Sequence, residues 1–230
     1  MKKTVLFTIA LMAVATMASA TIKNSKHDLS SGSTTAFKSA GATNQICIFC
    51  HTPHNPTKNV PLWNRVNPAA AGWTMYASPT ISATATTKLA TGTFDADSIS
   101  LFCMSCHDGV TAMGAFTNKA GAAADALGAI AEASNANIGD AVAGAGGIHL
   151  ENDHPVGFNY NTAATEDSGL HSKADANTSL GGSAFFGAAG NNIECSSCHK
   201  VHEPGAAGTT APFLRISNSA SALCLACHNK

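Results

Sequence analysis

The pattern Cys-x-x-Cys-His occurs four times in this chain of 230 residues, at Cys47-Cys50-His51, Cys103-Cys106-His107, Cys195-Cys198-His199 and Cys224-Cys227-His228. These copies use all 8 cysteines and four of the 10 histidines. Two cysteines three apart lie on one side of a helical turn, and the histidine that follows is held close beside them. Such a turn can offer each sulfur to one haem vinyl group, forming two thioethers, and place the imidazole under the iron as its proximal ligand. Zinc sites and redox dithiols also use Cys-x-x-Cys, but neither requires a histidine after every pair. A disulfide framework, which an exported chain permits, gives the histidines no role either. The expected cofactor is therefore haem c, four groups, each held covalently.

The first residues agree with that reading. Lys2 and Lys3 precede an apolar stretch over about 5–17, followed by Ala18-Ser19-Ala20. Residues 1–20 read as a secretory signal, with Thr21 starting the mature chain. The apolar stretch is too short to favour a membrane span, and no later segment offers one. The first cysteine is Cys47, so no lipid-anchoring cysteine follows the signal. Haem is attached to c-type cytochromes outside the bacterial inner membrane, so the signal and the motifs require the same compartment. The expected location is extracellular or the outer cell surface, alternatively the periplasm.

The formal charge is −1. Without Lys2 and Lys3, and with eight propionates and four ferric centres added, it becomes about −7. Nothing in this balance points to a nucleic-acid or anionic-membrane partner. Charged residues make up only 12% of the chain, about half the usual share. A weakly charged surface rich in Ala, Gly and Ser suits packing against copies of the same chain.

The chain divides into two related halves. Each has an upstream histidine, then C-x-x-C-H-x-x-H-x-P, a short apolar segment, and a serine-rich lead into a second C-x-x-C-H. In the first half these are His27, Cys47 to Pro56, Pro61-Leu62-Trp63, Ser98 to Phe102 and Cys103 to His107. In the second they are His154, Cys195 to Pro204, Pro212-Phe213-Leu214, Ser219 to Leu223 and Cys224 to His228. The expected organisation is a signal over 1–20, a first dihaem unit over 21–110, an Ala/Gly-rich insert over 111–148 and a second dihaem unit over 149–230. Within the insert, Lys119 to Ser134 has helix-forming composition. Elsewhere no helical or strand period persists, and Gly, Pro, Ser, Thr and Asn recur. The predicted fold is a multihaem c-type cytochrome with mostly irregular backbone, its short helices wrapped around a stack of four haems whose apolar faces replace a conventional core.

Four proximal histidines leave four distal positions. The candidates are His27, His54, His149, His154, His171 and His202, and this supply favours bis-histidine, low-spin ligation with no open site. His54 and His202 occupy equivalent places, three residues after a proximal histidine. That is too close to reach the other face of the same haem, so each is expected to serve a neighbouring one. His27 and His154 also match between the halves. The expected distal ligands are His27, His54, His154 and His202; His149 and His171 have no counterpart and no assigned role.

The doubled motif, together with Asp153-His154-Pro155-Val156-Gly157-Phe158 and Ser25-Lys26-His27-Asp28-Leu29-Ser30, resembles the outer-surface tetrahaem cytochromes of dissimilatory metal-reducing bacteria. It is most similar to the OmcE-like, filament-forming type. That resemblance implies a nearly continuous haem stack of alternating parallel and T-shaped pairs, with one haem ligated by a histidine from the next subunit. His27, near the start of the mature chain, is the expected donor. The function this implies is electron transfer and not catalysis: a polymeric relay, exchanging electrons with other multihaem cytochromes and delivering them to extracellular acceptors such as metal oxides. A monomeric periplasmic or surface shuttle is the alternative. A multihaem reductase needs an open iron position, and every iron here has histidines enough to be capped.

Overall fold

The computed structural model describes residues 22–41, 43–58, 61–119, 127, 130, 137–138, 148–203 and 213–229. The expected signal over 1–20 lies outside the described residues, as does most of the expected helix over 119–134.

As the absence of periodicity implies, the described backbone is mostly irregular and its helices are short. They are α1 (Ala83–Leu89), α2 (Ser100–His107), α3 (Tyr160–Glu166), α4 (Lys173–Ser179), α5 (Cys195–Cys198) and α6 (Ala222–Leu225). Three begin at side-chain caps: Ser82 accepts from Ala85 N, Asn159 from Thr162 N and Ser172 from Asp175 N. Each cap satisfies an amide that a helix start leaves unpaired. Four two-residue strands complete the regular structure. β1 (Thr74–Met75) pairs in parallel with β2 (His149–Leu150), and β3 (Phe158–Asn159) pairs antiparallel with β4 (Asn192–Ile193). No described helix is long and apolar enough to cross a membrane.

Apolar packing falls into three clusters. The largest joins Ala85 and Leu89 of α1 to Phe158, Tyr160, Ala163, Leu180, Phe185 and Ile193. The spacer helix of the first half is thus cored by the second half. A second cluster gathers Leu29, Phe49 and Phe116, and a third gathers Trp73, Phe94, Leu101, Met104 and Leu150. Phe49, Met104 and Ala226 lie inside attachment motifs, so each of the three clusters is built partly on the motifs themselves.

The internal repeat is also written in backbone hydrogen bonds. Thr52 N donates to Leu62 O and Asn64 N to Cys50 O; correspondingly, Lys200 N donates to Phe213 O and Arg215 N to Cys198 O. Leu62 and Phe213 both have φ of 63°. A left-handed bulky residue costs of order 1–3 kcal/mol, so its recurrence at equivalent places marks a turn the surrounding contacts impose.

Leu180, 1% exposed, fills the largest cluster. Leu180→Ala is expected to lower the unfolding free energy of the haem-loaded protein by about 2–5 kcal/mol, measured by chemical denaturation, with haem content unchanged.

Candidate haem-binding site

Each motif sits on one tight turn. The first occupies a 3-10 turn over Cys47–Phe49, the second ends α2, the third forms α5 and the fourth spans the end of α6. In three of them the first cysteine's carbonyl accepts the amide of the motif histidine: His51 N to Cys47 O at 2.8 Å, His199 N to Cys195 O at 3.1 Å and His228 N to Cys224 O at 2.9 Å. This i to i+4 bond closes one helical turn and brings both sulfurs and the imidazole to one side.

A single turn does not hold itself, and side chains from elsewhere clamp the motif carbonyls. Asn64 Nδ2 donates to Ile48 O at 2.8 Å, Arg65 Nη2 to Ser105 O at 2.7 Å and Arg215 Nε to Ser196 O at 2.7 Å. Asn64 and Arg215 hold equivalent carbonyls in the two halves. The sequence reading did not single out these residues. A signal was there: Arg65 and Arg215 are the chain's only arginines, and each follows the short apolar segment of its half.

The motif histidines meet partners across the fold. Ring centroids are 6.0 Å apart for His27 and His107, 6.0 Å for His51 and His202, and 6.3 Å for His154 and His228. Two imidazoles bonded to opposite sides of one iron, at about 2 Å each, have centroids about 6.3 Å apart. Both planes then contain the bonding axis, so the twist between them is free. The observed interplanar angles of 56°, 28° and 73° are all compatible with that arrangement. Every pair joins one motif histidine to one histidine expected as a distal ligand.

The ring nitrogens are prepared for ligation. His51 Nδ1 lies 2.7 Å from Pro61 O, and His154 Nδ1 lies 3.0 Å from Pro155 O. A carbonyl partner places the hydrogen on Nδ1 and leaves the Nε2 lone pair for a metal. His27 stacks on Phe213, with centroids 4.3 Å apart. Burial, followed by repulsion from His107, His199 and His202, lowers its pKa to about 4. It is therefore neutral near pH 7, the form an iron ligand requires. Burial likewise lowers the pKa of His154.

The sulfurs of successive motifs lie near one another. In the haem-free chain burial pushes the Cys50 thiol up to about 12, with Cys106 adding to the rise and Arg65 opposing it. Cys103 is raised first by its hydrogen bond to Cys195 and then by burial. Burial brings Cys198 to about 11, with Cys227 adding to the shift. The electrostatic influence runs from the first motif to the second, the second to the third and the third to the fourth, with Cys103 and Cys195 in hydrogen-bond contact.

Two further observations fit a large apolar group that carries carboxylates. Leu62, Val110, Val201 and Leu225, four of the exposed large hydrophobic residues, lie in or beside the motifs. Trp63 packs edge-on to His51, and its buried Nε1 has no acceptor among the described residues. A propionate is an acceptor of the kind that donor lacks. The cysteines, by contrast, do not gather into the sets of three or more metal-ligating groups that a zinc reading requires among the described residues. The residues that would hold haem are thus the eight cysteines through thioethers and the histidines through iron; the bound group would supply a one-electron Fe(III)/Fe(II) couple.

His54, the fourth expected distal ligand, and the unassigned His149 and His171 are placed differently. His54 is exposed and forms no ring pair among the described residues. His149 Nδ1 lies 3.1 Å from Glu151 Oε1. His171 serves the backbone: its N–H donates to Cys227 O, and its carbonyl accepts from Tyr160 Oη. His27 stands beside His107 of its own chain and packs on Phe213.

This arrangement supports a place among the multihaem c-type cytochromes, a class that transfers electrons. Residues 188–230 match the family model for the doubled CXXCH motif, which contains both attachment sequences of the second half and supports the same class. No curated protein matches the chain.

The ring pairs lead to a spectroscopic expectation. In His202→Ala, one haem of the ferric holoprotein is expected to change from low spin to high spin in its electron paramagnetic resonance spectrum. His171→Ala is expected to leave every haem low spin. An unchanged spectrum for the first variant would count against the His51–His202 pairing.

Proposed function

We propose that this protein is an exported tetrahaem c-type cytochrome that carries electrons to acceptors outside the cell as the subunit of a cytochrome filament. The observation that carries the electron-transfer core of this reading is the set of motif-to-distal histidine pairs at 6.0, 6.0 and 6.3 Å. An iron capped on both faces has no open position for a substrate and changes little in shape between oxidation states, so it passes electrons with little reorganisation.

In this reading Cys47, Cys50, Cys103, Cys106, Cys195, Cys198, Cys224 and Cys227 form the thioethers. His51, His107, His199 and His228 are proximal ligands; His202, His27 and His154 cap the first, second and fourth haems. By the internal repeat, His54 takes toward His199 the role that His202 takes toward His51. Its exposure makes it, in place of His27, the histidine suited to reach a haem of the next subunit. The near-contact of successive motif sulfurs supports a continuous haem stack. The low charge and the likeness of the motifs to filament-forming cytochromes support polymerisation.

The alternative is a monomeric shuttle, in which every iron is capped by histidines of one chain. In that reading His54 closes the fourth pair inside its own chain. Electron microscopy of the haem-loaded, exported protein at neutral pH separates the two. Filaments with a one-subunit repeat that shorten or vanish in His54→Ala are the expected result. Discrete particles that sediment as a monomer with four low-spin haems would replace the filament reading by the shuttle.

A further inference from the structure

Three charged side chains beside the attachment motifs, Arg65, Asp108 and Glu194, are fully buried and form no ion pair among the described residues, and Arg65 and Glu194 have opposite signs. Arg65 is 0% exposed and Glu194 is 1% exposed. Arg65 donates to Ser105 Oγ at 3.3 Å, Met113 O at 2.7 Å, Ser105 O at 2.7 Å and Ala112 O at 3.2 Å. Its guanidinium also lies over Phe116, 5.1 Å from the ring centroid. All these acceptors are neutral, and the ion pairs among the described residues involve other groups. Its neighbour Asn64 donates its amide to Cys50 O at 2.9 Å. Arg65 thus stands between the first motif and the second.

Glu194 directly precedes Cys195. Its carboxylate accepts from Ser98 Oγ at 2.6 Å and from Ser100 Oγ, while Cys195 N donates to Ser100 Oγ at 3.1 Å. Ser197 Oγ accepts the Glu194 amide at 2.9 Å. Ser100 opens α2, which ends in the second motif, so Glu194 stands between the second motif and the third. Burial raises the pKa of this carboxyl, and the Ser100 and Ser98 hydroxyls oppose the rise by donating to its ionised form.

A clamp alone does not require charge. Asn64 holds its motif carbonyl with a neutral amide, and a neutral side chain costs far less to bury than an ion. Adding an electron to a nearby site lowers that site's charge by one. A fixed cation therefore favours reduction, a fixed anion opposes it, and both act more strongly where water is excluded.

We infer that Arg65 and Glu194 are redox-tuning residues of opposite sign: Arg65 raises the reduction potential of the haems at the junction of the first and second motifs, and Glu194 lowers it at the junction of the second and third. The inference rests on the haem-bearing reading above. It makes the steps along the chain unequal in potential by design of two buried side chains. Asp108, Lys200 and Arg215, also charged and close to the motifs, stay in place in every variant below, so differences report the substituted residue.

The test is spectropotentiometric titration of the haem-loaded, exported protein and its variants, after haem content has been counted. A wild-type chain without haem would defeat the haem reading itself, independently of the tuning. Given four haems per chain and unchanged low-spin spectra, Glu194→Gln is expected to favour reduction of at least one haem by on the order of tenfold, about 59 mV for a one-electron couple. Arg65→Gln is expected to shift at least one haem by a similar factor in the opposite direction, whereas Arg65→Lys, which keeps the charge, stays near wild type. Titration curves for Glu194→Gln and Arg65→Gln that superimpose on wild type would overturn the inference. So would a shift in Arg65→Lys equal to that in Arg65→Gln, because it would mark a purely structural role. Should Arg65→Gln fail to keep its haems, Glu194→Gln decides alone.

Discussion

A haem-attachment motif must point two sulfurs and an imidazole in one direction, and five residues cannot hold that geometry by themselves. Most of the described architecture answers this constraint. The i to i+4 bond shapes the turn, and clamps from Asn64, Arg65 and Arg215 bind the carbonyls within three of the loops. Short backbone bridges then tie His51 to Trp63 and His199 to Leu214. Each clamp comes from a segment distant in sequence, so forming a motif's geometry and forming the tertiary fold are one event. That dependence suits a chain with few bulky core residues, because the same contacts that shape the motifs also order the irregular backbone around them.

The two halves share this plan but do not fold around separate cores. α1 belongs to the first half in sequence and packs on α3 and β3 of the second. Thr84 adds a polar tie across the same boundary by donating from its backbone and hydroxyl to Glu166. Histidine exchange points the same way: His202 reaches the ring of His51, and Phe213 packs on His27. A duplicated unit whose copies exchange ligands and core residues is locked into one relative placement. Electron transfer benefits from this, since the spacing between redox groups has to persist while their charges change.

Much of the candidate site was legible from spacing. The motifs named the expected thioether cysteines and proximal histidines, and the repeat put His27, His154 and His202 among the expected distal ligands; each of those three rings lies 6.0 to 6.3 Å from a motif histidine. The irregular backbone followed from missing periodicity and frequent Gly, Pro, Ser and Asn. Two features were not legible. Which motif histidine each spare histidine meets depends on how distant segments cross. The buried charges of Arg65 and Glu194 were also hidden, because composition reports how many charged residues a chain has and not which are removed from water.

The sequence by itself determined the chemistry: a thioether needs a cysteine, an axial ligand needs an imidazole, and the one-turn spacing between them is a local property of the backbone. Tertiary structure alone decided the pairing, the clamps and the electrostatic surroundings. These depend on contacts between residues tens of positions apart, such as His27 with His107 and Ser98 with Glu194. No local spacing rule encodes such contacts; they follow from which apolar faces pack together and which backbone groups must find partners once water is excluded.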